Sequence, residues 1–175
     1  MEKSSIKKVS PRETPDADDF YMGMAVWYAS KSKDPHTQVG AVIISSDNRP
    51  LGFGYNGPPR QINDTSFSWS RPEKYKYIYH AEENAIDYAT ENLSGSTLYV
   101  SAFPCSRCML KIVRNGIRKV IYFPFWKKDG SSLAATIADT EEIAKAGYVQ
   151  LTEYKGNLNW MKDRIVVLDE LGFFK

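Results

Sequence analysis

His80-Ala81-Glu82 and, further along, Pro104-Cys105-Ser106-Arg107-Cys108 bring together one imidazole, one carboxylate and the only two cysteines of the chain. Cys105 and Cys108 stand three apart, just after Pro104 and just before the helical pattern Met109, Leu110, Ile112, Val113. Both sulfurs are therefore expected on one face of a helix's first turn, where the helix N-terminus favours thiolate. His80 opens a second helical pattern, His80 to Glu91, with Ala81, Ala85, Ile86 and Ala89 as its packing side. One imidazole and two thiolates give zinc three ligands and leave its fourth position open, the arrangement of a catalytic site; a structural zinc takes four. Zinc lowers the pKa of water from about 15.7 towards neutrality. Glu82, two residues from His80, can turn its carboxylate into the same pocket without ligating the metal, and would move protons there.

Blander readings of each part are weaker than the combination. A lone C-x-x-C is often a redox pair or half of a structural zinc site, and a lone helical His is more often a satisfied core residue than a ligand. A structural zinc would need a fourth ligand, but the one other histidine is His36 and there is no third cysteine. A thioredoxin-like reading leaves His-Ala-Glu unexplained.

The chain has 175 residues, enough for one domain with a sizeable core. Its formal net charge of +2 is too small to argue for nucleic-acid binding by bulk electrostatics. Two cysteines read as metal ligands leave none for a disulfide, which fits a reducing compartment. The N-terminal Met1-Glu2-Lys3-Ser4-Ser5-Ile6-Lys7-Lys8 carries no apolar segment, and no run approaches a membrane span. A cytoplasmic protein without membrane contact is expected.

Residues 1–13 read as a polar, flexible arm, and 14–175 as a single catalytic domain. Thr14-Pro15-Asp16 starts a helix running to about Lys33, with Phe20, Met24, Trp27 and Tyr28 as its core stripe. Asp34-Pro35 breaks it. Val39 to Ile44 and Leu51 to Asn56 flank the turn Ser45 to Pro50 and predict a hairpin. The stretch from Arg60 to Tyr79 is polar and aromatic without clear periodicity, and so long a connection is usually functional or an interface. After the His80 helix come a strand over Thr97 to Ser101, the cysteine helix closed by Asn115-Gly116, and a fourth strand over Lys119 to Phe123. A helix over Thr136 to Ala146 then leads to a fifth strand over Tyr148 to Leu151. Because that helix separates strands four and five, they can lie parallel. A closing helix over Leu158 to Leu171 is expected to turn Trp160, Ile165, Leu168 and Leu171 inward. The fold class is α/β, with a central five-stranded mixed sheet.

The H-x-E and P-C-x-x-C pair resembles the signature of the zinc nucleobase deaminases. Further blocks narrow the resemblance to the deoxycytidylate (dCMP) deaminase branch of the cytidine deaminase superfamily. They are Asp34-Pro35-His36-Thr37-Gln38-Val39-Gly40-Ala41, Gly54-Tyr55-Asn56-Gly57-Pro58, Lys76-Tyr77, His80 to Ile86, and Phe103-Pro104-Cys105. The resemblance implies a cytidine deaminase-like three-layer fold and hydrolysis of dCMP to dUMP and ammonia, supplying dUMP for dTMP synthesis. It implies one zinc per subunit on His80, Cys105 and Cys108, with Glu82 as the proton shuttle. It further implies that Asn56 meets the nucleotide sugar, and that Ala81 and the backbone of Ser101, Ala102 and Phe103, next to Pro104, read the base. Gly54, Asn56 and Gly57 are implied near a regulatory site for dCTP as activator and dTTP as inhibitor, with Mg²⁺ on the triphosphate, in a homo-oligomer that is commonly a hexamer. Glu83 stands where Leu or Met is more usual, and Phe123-Pro124-Phe125-Trp126-Lys127 replaces a Ser-Asp-Lys-like segment.

A phosphate anchor is sought among Arg60, Lys74, Lys76, Lys127 and Lys128. His36 is expected in a surface or loop role. Trp69, Phe125 and Trp126 either stack on a base or a neighbouring subunit, or bury against their own domain. Two other function classes remain open: a deaminase of dCTP, of both dCMP and dCTP, or of another base such as tRNA adenosine; and a non-catalytic nucleotide-sensing module.

Overall fold

The computed structural model describes residues 13–124 and 132–170. In chain order the elements are α1 (Ala17–Ala29), β1 (Gly40–Ile44), β2 (Pro50–Tyr55), a 3-10 turn (Glu73–Lys76), α2 (Ala81–Asp87), β3 (Thr97–Val100), α3 (Ser106–Arg114), β4 (Lys119–Tyr122), α4 (Ser132–Ala146), β5 (Gln150–Glu153) and α5 (Asn159–Glu170). The strands form one sheet in the order β2-β1-β3-β4-β5. β1 is antiparallel to both β2 and β3, whereas β3-β4 and β4-β5 are parallel, as the intervening helices require.

β1 is Gly-Ala-Val-Ile-Ile and is buried throughout. Its side chains alternate between faces. Ala41 and Ile43 join Leu98, Val100, Val120, Ala81, Ala85, Met109, Ile112 and Ala144 on one side. Val42 and Ile44 join Tyr99, Ile121, Tyr21, Met22, Ala25 and Tyr154 on the other. The result is the expected three-layer sandwich, with α2, α3 and α4 covering one face and α1 the other.

Two corrections concern helix faces. The buried residues of α1 are Tyr21, Met22, Gly23, Ala25 and Ala29, while Phe20 and Trp27 of the expected stripe are 44% and 58% exposed. The sheet selects small residues here: a Cβ on Gly40 would lie 2.0 Å from the Ala25 carbonyl oxygen, so α1 rests backbone to backbone on β1. Phe20 and Tyr28 of the expected stripe turn aside, Tyr28 stacking on Phe53 at 4.7 Å and Phe20 meeting Trp160 at 6.0 Å, while Tyr21 enters the core. In α5 no residue is buried, and Ile165 and Leu168 are exposed rather than inward. Trp160, with Met161 and Arg164, is half-covered. Leu171, the arm up to Arg12, and Phe125, Trp126, Lys127 and Lys128 lie outside the described residues.

Other boundaries shift modestly. α2 stops at Asp87, short of Glu91, because the chain turns to bury Leu93. β5 begins two residues later than its apolar pattern suggested, since Tyr148 takes a positive φ of 55° to leave α4.

The long connection from Arg60 to Tyr79 is ordered from within. Phe67 packs against Trp69 at 4.9 Å and Tyr77 at 4.6 Å, and the Trp69 indole donates to the Asp64 carbonyl at 3.0 Å. Trp69 therefore packs within its own loop. The anchor is Lys74, 2% exposed, whose ammonium donates to both carboxylate oxygens of Asp34, itself 3% exposed, at 2.7 and 2.5 Å. Burial would raise the Asp34 pKa, but Lys74 and the backbone N–H groups of His36 and Thr37 outweigh it and hold the carboxyl below its ordinary range.

Lys74→Met leaves that carboxylate buried and unpaired, and is expected to cost about 3–5 kcal/mol in urea unfolding. Adding Asp34→Asn should recover much of the loss. Because Asp34 is depressed, its contribution is complete above the ordinary carboxylate range and fades as pH falls through the lowered value. The Lys74→Met penalty should therefore shrink in acid, and a pH-independent penalty would contradict this account.

Candidate functional site

The carboxyl ends of β2 and β3 lie at the same edge of the sheet, because β1 pairs Gly40 with Tyr55 and Ala41 with Val100. Open α/β sheets place their ligands at such an edge. Three connections converge there: the segment between α1 and β1, the Lys74 loop leading into α2, and the turn from β3 into α3. Between them lies a cavity of about 490 Å³ lined in part by Val39, Asn56, Ile78, His80, Ala81, Glu82, Ala102, Phe103 and Cys105.

His80 and Cys105 play the same local part. Each is the N-cap of its helix, in extended conformation, with φ/ψ of −75°/161° and −79°/166°. Cys108 follows within the first turn of α3, as its spacing required. His80 Nδ1 is 3.5 Å from the Cys105 sulfur and 3.3 Å from that of Cys108, and all three donor atoms lie within 4.8 Å of one another. Zinc–sulfur bonds of about 2.3 Å and zinc–nitrogen bonds of about 2.0–2.1 Å at tetrahedral angles separate nitrogen and sulfur by about 3.5 Å. Both nitrogen–sulfur separations therefore fit zinc. Among the described residues no other group of three or more His, Cys, Asp or Glu donors has metal-ligand spacing.

Protonation follows from this proximity. A hydrogen bond from the Cys108 thiol, with His80 beside it, holds Cys105 down at about 4, so it is a thiolate at neutral pH. The hydrogen bond to Cys105 lifts His80 to about 9, and the same Cys105 pushes the Cys108 thiol up. Three bases share protons that a divalent cation would displace. Glu82, 4% exposed in the cavity wall, is raised to about 7 by burial, against the partial opposition of the His80 charge. A carboxyl titrating near neutrality is suited to taking and returning a proton.

The remaining expected residues divide. Ala81, Ala102 and Phe103 line the cavity. Ser101 and Pro104 border it: the Ser101 hydroxyl accepts from the Gly40 N–H at 2.9 Å, and the Pro104 carbonyl from the Thr140 hydroxyl at 3.2 Å. Asn56 lines the cavity but is buried, its amide oxygen accepting from the Val39 N–H at 2.8 Å and its NH₂ donating to the Thr37 carbonyl at 2.9 Å. It holds the 34–39 segment in place beside any sugar contact. Gly54 faces away, into a cavity with Phe53, Pro58, Arg60, Asn84 and Tyr88. A Cβ there would come within 2.1 Å of the Ala81 carbonyl, so close packing of α2 on β2 is what requires this glycine. Gly57 pairs with Tyr79 in an isolated bridge.

Of the candidate phosphate anchors in the described residues, Lys74 alone reaches the main cavity, where Asp34 neutralises it. Arg60 sits instead 4.7 Å over the Tyr88 ring. His36 is exposed, 3.7 Å from Asp34. Sequence reasoning missed Arg71, Arg107, Glu83 and the Asp34–Lys74 pair, all in the cavity wall. The C-x-x-C motif already contained Arg107, whereas nothing in the spacing signals that Asp34 and Lys74 meet.

Residues 15–124 match the family described as "Cytidine and deoxycytidylate deaminase zinc-binding region". A probable deoxycytidylate deaminase of Drosophila melanogaster is 42% identical over 117 residues, 60% of this chain and 58% of the fly protein. The deoxycytidylate deaminase of Homo sapiens is 40% identical over 111 residues, 59% of this chain and 62% of the human one. The aligned region thus spans about three-fifths of the length of these relatives. The deoxycytidylate deaminase of Mycobacterium phage D29 is 36% identical over 122 residues, covering 62% of this chain and 94% of the phage protein. A crystal structure of dCMP deaminase from the cyanophage S-TIM5 in apo form superposes with a TM-score of 0.62 at 23% identity, covering 81% of this chain and 100% of that one, and shares the fold. The matched region is well over half of the chain and runs through both helix starts that carry the metal donors, so the chain belongs to the cytidine and deoxycytidylate deaminase family.

Proposed function

We propose that the protein hydrolytically deaminates dCMP to dUMP and ammonia. The carrying observation is the buried Glu82 carboxyl in the wall of the cavity that also holds the His80, Cys105 and Cys108 donors. The relatives named deoxycytidylate deaminase support the choice of nucleotide.

A zinc ion held by His80, Cys105 and Cys108 would supply a Lewis acid that lowers the pKa of water into the neutral range. The chain's own residues do the rest. Val39, Ile78, Ala102 and Phe103 give the base an apolar part of the cavity wall to lie against. Glu82 accepts a proton from the attacking water and delivers it to N3 of the cytosine, then takes the proton of the new C4 hydroxyl and passes it to the amino group, leaving C4 as a carbonyl. The C4–O bond forms, the C4–N bond breaks and ammonia leaves. In this reading the Ala81 N–H and the 101–103 backbone read the base and Asn56 meets the sugar. Arg71 and Arg107 at the cavity wall can meet a dianionic phosphate, since a guanidinium has donors to spare beyond the Arg71–Thr37 and Arg107–Glu83 contacts. Activation by dCTP with Mg²⁺, inhibition by dTTP and a homohexamer belong to the same proposal. The exposed Trp27, Ile165, Val166 and Leu168 support self-association.

The test is loss of cytosine absorbance with dCMP, dCTP, deoxycytidine and a tRNA anticodon stem in parallel, each with and without effector dCTP or dTTP plus Mg²⁺. dCMP should turn over fastest, with the triphosphates moving its rate in opposite directions. Comparable turnover of dCTP or of the tRNA stem would replace the substrate assignment, and no turnover would favour a nucleotide sensor.

Glu82→Gln should lower kcat by about 10²–10⁴-fold with zinc content unchanged, whereas Cys105→Ala should lose both zinc and activity. Glu82 must be ionised to accept a proton. kcat/KM should therefore fall as pH drops through about 7, and an acid limb unchanged in position by Glu82→Asp would argue against this assignment.

A further inference from the structure

Beside Glu82 lies a second buried carboxylate for which the proposed chemistry has no use. Glu83 is 4% exposed, and both its oxygens are engaged. Oε2 accepts the backbone N–H of His80 at 2.9 Å. Oε1 meets the Arg107 guanidinium at 3.0 Å. Arg107 stands between Cys105 and Cys108, so one carboxylate touches the backbone of the imidazole donor and the side chain that separates the two thiol donors.

The need for such a link follows from how the helices are carried. α2 is fixed to β2, where Gly52 and Gly54 would bring a Cβ within 2.4 and 2.1 Å of the Ala85 and Ala81 carbonyls. α3 follows β3 and packs mainly against α4. The distance from His80 to the cysteines therefore depends on how α2 sits against α3. One turn further along both helices Lys111 meets Asp87 at 2.5 Å, so acidic positions 83 and 87 face basic positions 107 and 111 in one seam. The outer pair is half-exposed and touches no metal donor, whereas in the inner pair an exposed Arg107 reaches the buried Glu83 that holds the His80 N–H. The inner pair grips the site.

We propose that Glu83 is a positioning residue that sets the His80 half of the metal site against the Cys105–Cys108 half, through the His80 N–H on one oxygen and Arg107 on the other. This rests on the zinc reading of the donor cluster. A buried acceptor fixes the helix start rigidly, and a charge-assisted bond ties it to the second helix. Partners that orient metal ligands without binding the metal govern how tightly it is held.

The test compares zinc-loaded wild type with Glu83→Leu, Glu83→Gln, Arg107→Ala and Asp87→Asn, by competition for zinc with a chromophoric chelator and by the visible spectrum of the Co²⁺-substituted proteins. Glu83→Leu should weaken zinc by about 10–100-fold and shift the cobalt bands. Glu83→Gln, which keeps an acceptor for the His80 N–H, and Arg107→Ala should each fall between Glu83→Leu and wild type. Asp87→Asn should match wild type. Should Glu83→Leu not fold, Glu83→Gln and Arg107→Ala decide. Wild-type zinc affinity and cobalt spectra in the Glu83 and Arg107 variants would overturn the proposal, as would an equal loss in Asp87→Asn, which would reduce the seam to helix packing. A wild-type protein that holds no zinc would fail the metal reading itself, and this proposal with it.

Discussion

Three donor atoms from two separate helix starts have to meet within 4.8 Å of one another, and most of the architecture can be understood as the means of bringing them there. Metal coordination tolerates little error, with bond lengths meaningful to about 0.2 Å. Neither helix could supply the set alone. The chain solves the problem by repetition: each helix begins with a donor at its N-cap, in nearly the same extended backbone conformation. An N-cap side chain lies at the end of the helix instead of on its packed flank, so donors can project into a cavity while the following residues enter the core. Ala81 and Ala85 after His80, and Met109 and Ile112 after Cys105, are all buried.

That placement requires the helices to sit close to the sheet, and small residues make it possible. Gly40 lets α1 rest on β1 from one side, while Gly52 and Gly54 let α2 rest on β2 from the other. Contacts of this kind leave no room for side-chain adjustment, so helix positions are fixed by backbone shape. Polar residues line the cavity beside apolar ones: Lys74, Asp34 and Asn56 form a buried network tying the 34–39 segment to the loop before α2. Such a pair often adds little stability over an apolar replacement. Its value here is register, since its removal would free both loops that border the site.

Much of this was legible in the sequence because the governing signals are local. The metal donors follow from the spacing at Cys105 and Cys108 and from His80 opening a helical pattern. The hairpin follows from the turn between Ile44 and Leu51, and the parallel pairing of β4 with β5 from the helix between them. What was not legible depends on contacts between distant segments. Phe20 and Trp27 are as apolar as a core stripe should be, yet the face of α1 was chosen by the close approach to Gly40, which periodicity does not encode. Gly54 was implied near a regulatory site, and nothing local signals its partner, the Ala81 carbonyl on another element. Asp34 and Lys74 are each unremarkable beside their neighbours, and only the fold shows that they meet.

The adjacent glutamates show how the same side chain acquires different work from its surroundings. Glu82 and Glu83 follow one another at the start of α2, are equally buried at 4% exposure, and border the same cavity. Glu83 has both oxygens engaged, by a backbone N–H and a guanidinium, so its charge is compensated and its position fixed. Desolvation dominates at Glu82 and brings its carboxyl to about 7, where gain and loss of a proton cost little. Carboxylates separated by environment in this way take separate roles. Moving Arg107 out of the C-x-x-C loop would leave two buried negative charges side by side with one cation fewer to balance them.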